Sequence, residues 1–193
     1  MTMREPSWYD IVEQPSSEGV DILEQGDILV CPRFVIETPG VWPLPTTLAP
    51  RVVVDEVLAV VLTQTCDLAQ DKVREVLLAA APAWSLAVER MAQSGNEFAK
   101  SKAFRKALVD GNLPSLHLLH RHDDEPQMDW TIVDFHSLFT LPKPMLLSIA
   151  RSTGPRLRLR PPYKEHLAQA FARFFMRVGL PLDARSFIDQ GRS

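Results

Sequence analysis

The sequence predicts an α+β protein in which a small antiparallel β-barrel or curved sheet carries inserted helices and a C-terminal amphipathic helix. Strand-like segments come first, two helical segments follow, and a hairpin and a last helix end the chain. This order lacks the regular strand–helix alternation of a doubly wound fold. The sixteen prolines cluster in loops between these segments, which excludes long helical repeats. A length of 193 residues suits one domain with a sizeable core.

The N-terminal half is predicted to be mostly strand. Residues 1–20 are interpreted as an irregular arm that Trp8, Tyr9 and Ile11 hold against a single domain of residues 21–193. The predicted strands of this half are 28–36, 51–54, 57–62 and 73–81. Residues 57–62 are apolar without alternation, which is typical of a strand buried on both faces.

The C-terminal half combines helices with a hairpin. The predicted elements are a helical insertion at 83–110 (helices 83–93 and 97–110), a hairpin of 115–122 with 130–139, a short helix at 145–151, an alternating edge strand at 156–160 and a C-terminal helix at 161–179. Pro161 and Pro162 suit the first turn of that last helix, and Gly179 suits its end. Its phenylalanines, Phe171, Phe174 and Phe175, are expected to be buried.

A polar segment, Thr63-Gln64-Thr65-Cys66-Asp67, directly follows the apolar run 57–62. A catalytic cysteine needs a nearby cation, histidine or helix N-terminus, and Asp67 has the opposite effect on a thiolate. The structural interpretation is that Thr65 or Asp67 caps a short turn, with Cys66 buried behind it. A ligand or contact role and a nucleophilic role for Cys66 are the alternatives.

Three of the five histidines lie between residues 117 and 122, just before Asp123. On a strand, His120 and His122 share one face and His117 takes the other. One hypothesis is a three-ligand zinc site formed by His120, His122 and either Cys66 or Asp123. Exposed hairpin histidines are the alternative.

Basic residues are concentrated near the C-terminus of an acidic chain. Residues 151–193 hold nine of the 21 Lys and Arg and three of the 24 acids, a net charge of +6 that leaves −9 for the rest. The candidate anion-binding or partner-binding residues are Arg156, Arg158, Arg160, His166, Arg173 and Arg177. Of these, His166, Arg173 and Arg177 share one helical stripe with Gln169. Arg suits phosphate or carboxylate, so the surface predicts an anionic partner or pairing with the chain's own acids.

Residues 24–81 resemble the barrel of PemK/MazF-type toxins. The resemblance rests on Gly26-Asp27-Ile28 at the start of a strand, a long loop, and Val60-Val61-Leu62-Thr63 before a further apolar strand at 73–81. It implies a small barrel, and in that family the barrel binds single-stranded RNA and many members cleave it. The family's Arg-Pro pair before the second strand has no counterpart here, where the matching segment is Asp55-Glu56-Val57-Leu58-Ala59.

A second resemblance spans residues 8–182. Gln-Gly-Asp-Ile, Thr-Gln-Thr-Cys-Asp-Leu, Pro-Pro-Tyr-Lys-Glu-His-Leu and Phe-Met-Arg-Val-Gly-Leu-Pro occur in an order similar to that of a group of uncharacterised bacterial proteins. It implies a bacterial origin and no particular activity.

The functional prediction is a non-catalytic binding or accessory module that contacts nucleic acid or an acidic protein surface. The barrel rim near Cys66 and the basic C-terminal helix would form the contact surface. No phosphate loop, dinucleotide fingerprint, nucleophile elbow or His-Glu-x-x-His motif is found. The alternative is an enzyme, a divergent ribonuclease of the toxin-barrel type or a metal-dependent hydrolase, that uses Cys66, Asp67 and His117 or His120. Since the sequence shows neither a signal-peptide pattern nor a run of ~20 apolar residues, we expect a cytoplasmic protein.

Overall fold

Eight strands and five α-helices make up the part of the chain that the computed structural model describes, which is residues 7–13, 23–37 and 49–176. The strands are β1 (Tyr9–Val12), β2 (Asp27–Glu37), β3 (Arg51–Val61), β4 (Glu75–Ala80), β5 (Leu116–Leu119), β6 (Thr131–Asp134), β7 (Leu138–Pro142) and β8 (Arg156–Leu159). The helices are α1 (Thr65–Ala69), α2 (Trp84–Gln93), α3 (Lys102–Val109), α4 (Lys143–Ser152) and α5 (Tyr163–Phe175), with a 3-10 helix at Glu97–Lys100.

Six of the strands form one antiparallel sheet, in the order β1-β8-β2-β3-β4-β7. Strands β5 and β6 form a second, two-stranded sheet, which confirms the predicted hairpin. The α+β class is therefore confirmed. Closure into a barrel is not confirmed, because within the described residues β1 and β7 remain at opposite edges of the large sheet.

Two predictions at the chain's ends were wrong. Residues 9–12 form a regular strand and not part of an irregular arm, and this strand pairs with β8. Strand β8 was expected at a sheet edge, yet it lies between β1 and β2. The alternating arginines suggested a solvent-exposed edge strand. Two of them, Arg156 and Arg158, instead form ion pairs with the buried carboxylate of Asp27 inside the sheet.

Strand β3 is continuous, although two separate β segments were predicted for this stretch. Its polar middle, Asp55 and Glu56, interrupts the apolar pattern but not the pairing with β2. At its end, Val60 and Val61 belong to the cores on opposite faces of the sheet, so the prediction of a strand buried on both faces is confirmed.

Two apolar cores lie on the two faces of the large sheet. One face packs against α4, whose Leu146 and Ala150 are fully buried. The other face packs against the small sheet and α5, which contributes the fully buried Leu167. A third cluster joins α2 and α3 to β6 through Ala87, Leu108 and Ile132. Together, these cores fix the position of α5 relative to β5.

The predicted helices are largely confirmed. In the insertion, however, the predicted helix 97–110 is divided into a 3-10 helix and α3. Ser101 ends the 3-10 helix and caps α3, where its hydroxyl oxygen accepts a hydrogen bond from the Phe104 amide at 3.0 Å. In α5, Phe171 and Phe174 pack against the core as predicted, whereas Phe175 is mostly exposed. Gly179, the predicted end of this helix, lies outside the described residues.

Candidate functional site

Asp27 is at the centre of an ion-pair network that includes two of the arginines predicted to bind an anionic partner, Arg156 and Arg158. Its carboxylate is fully buried and accepts hydrogen bonds from Arg156 Nε at 3.1 Å and from Arg158 Nη2 at 2.9 Å, with a further contact from Arg158 Nε. The backbone amide of Glu24 donates to the same carboxylate at 3.1 Å. Arg156 is itself buried, so this ion pair joins β2 to β8 inside the sheet.

Neighbouring charges extend the network towards solvent. The Glu24 carboxylate accepts from Arg158 Nη1 at 2.6 Å and from Lys164 Nζ at 3.2 Å. Arg160 forms an exposed ion pair with Asp10 at 3.2 Å. Arg156, Arg158 and Arg160 therefore pair with carboxylates of the chain itself, the alternative that the sequence left open. Arg177 lies outside the described residues.

The other predicted basic residues line a cleft of about 560 Å³ between α5 and β5, here called the histidine cleft. His166, Gln169 and Arg173 form its α5 wall, as their helical spacing predicted. His117 and His120 lie on the opposite wall, so one site combines histidines that the sequence had assigned to separate hypotheses. No Asp or Glu is among the described residues that line this cleft.

Two tryptophans and His120 form the aromatic part of the histidine cleft. The His120 ring lies 4.4 Å from the Trp130 ring and 5.4 Å from the Trp8 ring, measured between centroids. Trp8 also stacks on Tyr163, the first residue of α5, at 4.0 Å. Both tryptophans are partly exposed, so their rings combine a fixed position with solvent access.

His117 is partly buried in this wall, and its pKa is lowered to about 4. Loss of hydration on burial is the larger cause, because it penalises the charged imidazolium, and the positive charge of His166 adds to it. His117 is therefore neutral at pH 7, with one ring nitrogen available as a donor and the other as an acceptor.

A smaller hollow of about 280 Å³ adjoins the histidine cleft. The two share Leu108, Val109, Leu118 and Trp130 as lining residues. The second hollow adds Trp84 and Arg105, and the described residues that line it again include no acid. An aromatic ring and an arginine thus occur in each of two adjoining hollows, with Trp130 common to both.

The polar segment after β3 links three backbone segments. Thr63 Oγ1 accepts from the Leu77 amide at 2.7 Å, and Thr65 Oγ1 accepts from the Gln25 amide at 3.2 Å. Gln25 in turn donates to the Leu62 carbonyl at 2.9 Å. The threonines therefore fix the turn before β2 and the start of α1, which has no side-chain cap at its N-terminus. The segment was expected to be a short turn capped by Thr65 or Asp67, but it forms α1, and neither side chain caps it.

Cys66 is exposed on α1, whereas the structural interpretation expected it to be buried. Its sulfur lies 3.6 Å from Gln64 Oε1 and 3.7 Å from Asp67 Oδ1, both of them acceptors. Neither Cys66 nor Asp67 is among the residues that line the histidine cleft. The structure therefore does not bring Cys66 and Asp67 into the cleft that holds His117 and His120, and an enzymatic role for these residues stays a prediction.

The structure also does not bring the proposed zinc ligands together into a metal site within the described residues. His120 follows the end of β5, with Nδ1 2.7 Å from the Arg121 carbonyl, and His122 has Nδ1 3.0 Å from the carbonyls of Asp124 and Pro126. Asp123 forms an ion pair with Arg121 at 3.5 Å. Across the described ranges, no group of three or more His, Cys, Asp and Glu side chains is placed to hold a metal ion.

Four residues of the two hollows were missed by the sequence interpretation: Trp8, Trp84, Trp130 and Arg105. Trp8 was interpreted only as an anchor and Trp130 as the start of a strand. Arg105 lies in the predicted helix 97–110, but its place in one hollow with Trp84 depends on how α3 packs against β5. The one available signal was the chain's four tryptophans, three of which line this region.

The comparisons with known proteins leave the site to be interpreted from its chemistry alone. No protein-family model, curated protein or solved structure matches the chain. In the part of the chain that the structure describes, no helix has the length and apolar character that a membrane span requires.

Proposed function

We propose that this protein binds single-stranded nucleic acid through the histidine cleft and the adjoining hollow, as a non-catalytic module in the cytoplasm. The observation that carries the proposal is the composition of these walls. Arg173, Arg105 and three histidines combine there with three tryptophans, and the described lining residues include no acid. This combination suits a ligand that has both negative charges and planar rings.

The charge of the two hollows supports an anionic ligand. The whole chain carries a net charge of −3, so an acid-free concave surface with two arginines is a local departure from the average. Arg173 is exposed on α5 and can form a two-pronged contact with a phosphate. Neutral His117 adds a hydrogen-bonding group to the same wall without adding charge.

The aromatic rings favour nucleic acid over an acidic protein surface. A base that stacks on an exposed aromatic side chain contributes about 1–3 kcal/mol, and a carboxylate-rich peptide has no ring to make that contact. Trp8 and Trp130 are partly exposed in the cleft and are braced by Tyr163 and His120. Such rings are held in place before a ligand arrives, which lowers the entropic cost of binding.

The shape of the region favours an extended ligand. The histidine cleft and the adjoining hollow measure about 560 and 280 Å³ and meet at Trp130. Each offers one arginine and at least one tryptophan, so the same pair of contacts is available twice along the surface. A chain of alternating phosphates and bases has this repeat.

The test is the affinity for a labelled single-stranded oligonucleotide, measured by fluorescence anisotropy at low and at moderate salt. We expect Arg173→Glu to weaken binding about tenfold or more and to reduce the salt dependence of the affinity. Arg74→Glu makes the same charge change at an exposed position outside both hollows and serves as the matched control. Recovery of intact oligonucleotide separates binding from cleavage.

Three outcomes contradict the proposal. Binding of poly-glutamate but not of oligonucleotide would assign the cleft to an acidic protein. Binding of neither ligand would mean that the two hollows are not an anion-binding site. An equal loss of affinity in Arg173→Glu and Arg74→Glu would place the contact elsewhere.

A further inference from the structure

The outer half of the β2–β3 hairpin extends beyond the rest of the sheet as a two-stranded ribbon, here called the β2–β3 ribbon (residues 30–37 and 51–58). Strand β8 pairs with β2 only at Asp27 and Ile28, and β4 pairs with β3 only from Ala59 to Val61. Strands β2 and β3 continue to pair with each other as far as Glu37 and Arg51. An isolated two-stranded ribbon is marginally stable in water without a further packing partner.

One face of this ribbon is apolar and exposed. Three directly paired positions, Val30 with Leu58, Phe34 with Val54 and Ile36 with Val52, lie on the same side of the ribbon. Phe34, Ile36, Val52 and Val54 are 49%, 61%, 53% and 54% exposed. The row is interrupted where Pro32 faces Glu56. Beyond this interruption, Phe34, Ile36, Val52 and Val54 form a contiguous exposed apolar patch, which is unusual on a monomer and marks an interaction surface.

Charges on the opposite face pair within the ribbon. Arg33 donates to Asp55 at 3.2 Å, and Arg51 lies 3.7 Å from Glu37. The apolar face itself carries one charged side chain among its paired positions from 30 to 36 and from 52 to 58, the exposed Glu56. Its partner therefore needs an apolar face rather than a charged one, and the same face of a second copy meets that requirement without charge repulsion at its tip.

We propose that the β2–β3 ribbon is a self-association surface on which a second copy of this chain packs face to face. Together with Val30, which is 50% exposed, the four side chains of the apolar patch present on the order of 450 Å² per copy. Two copies therefore bury about 900 Å² before flanking atoms are counted, close to the ~1,000 Å² of a specific interface. The shared face is the same patch on both partners, as a two-fold dimer requires.

The experiment is light scattering on the full chain over a concentration series from about 1 to about 200 μM. We expect a mass of twice the 21.7 kDa chain at the upper end. The variant Ile36→Lys/Val52→Glu puts an opposite-charge pair at directly paired positions, so it preserves the hairpin but charges the face. We expect this variant to remain at the monomer mass throughout, with an unchanged circular dichroism spectrum.

Ile11→Lys is the matched control, since it replaces another exposed apolar strand residue, in β1, and should still dimerise. Should the double variant fail to fold, Phe34→Ser reports on the same face with a milder change. A wild-type chain that is monomeric at every concentration overturns the proposal and leaves residues 38–48, which join the two strands, as the candidate cover. A dimer that survives in the double variant also overturns it.

Discussion

At the residue scale, His117 shows how the fold changes a side chain that the sequence had assigned to catalysis. It faces α5 across the histidine cleft, where burial and the charge of His166 lower its pKa from 6.5 to about 4. An imidazole that resists protonation is suited to hydrogen bonding at pH 7. Because the folded chain keeps His117 neutral at a pH where the unfolded chain protonates it, the free energy of unfolding depends on pH.

We expect the free energy of unfolding to fall as the pH drops from about 6.5 to about 4. In this window the unfolded chain takes up a proton at His117 that the folded chain does not, and the loss amounts to at most about 3 kcal/mol. Urea unfolding of wild type and His117→Gln at several pH values measures it, and the variant should lose less stability on acidification. His136→Gln, at an exposed histidine, is the control. Parallel curves for wild type and His117→Gln would rule out this role.

At the scale of single elements, α5 has one apolar face in the core and one polar face in the histidine cleft. Leu167 is fully buried in the core beneath the small sheet, and Phe171 and Phe174 pack beside it. The opposite stripe carries His166, Gln169 and Arg173 into the histidine cleft. Packing of the apolar face thus positions the polar face, and Phe175 lies at the end of the helix, beyond the edge of the core.

Leu167→Ala should lower the free energy of unfolding by about 2–5 kcal/mol, because it leaves a cavity under α5. Phe175→Ala removes a larger side chain from the same helix but should change stability by less than about 1 kcal/mol, since that ring is 56% exposed. Urea denaturation of the two variants makes the comparison. Similar losses in both would mean that α5 is not anchored through Leu167.

At the scale of the whole molecule, the first and last of the described strands, β1 and β8, pair within one sheet. Strand β8 is flanked by β1 and β2, and the buried pair of Asp27 with Arg156 joins positions 129 residues apart. Tyr9, in the large sheet, is linked to the residue that follows β5, because its hydroxyl donates to the His120 carbonyl at 2.5 Å. The histidine cleft therefore includes residues from the beginning, middle and end of the chain.

Asp27→Asn should destabilise the protein by about 3–5 kcal/mol, because it removes the buried negative charge that contacts both Arg156 and Arg158. Asp10→Asn breaks the exposed pair with Arg160 and should cost at most about 1 kcal/mol. Equilibrium unfolding of both variants at pH 7 measures the difference. A mild effect of Asp27→Asn would show that β2 and β8 stay together without the ion pair.

Short-range patterns determined most of the elements and one wall of the site. The 3.6-residue period placed α5 and its stripe of His166, Gln169 and Arg173, and the unbroken apolar run placed the end of β3 between two cores. Only the tertiary structure decided that Arg156 and Arg158 pair with Asp27, that β8 is internal, and that Trp8 and Trp130 meet His120. These contacts join segments far apart in the chain, and their partners depend on strand order and packing, which local periodicity does not encode.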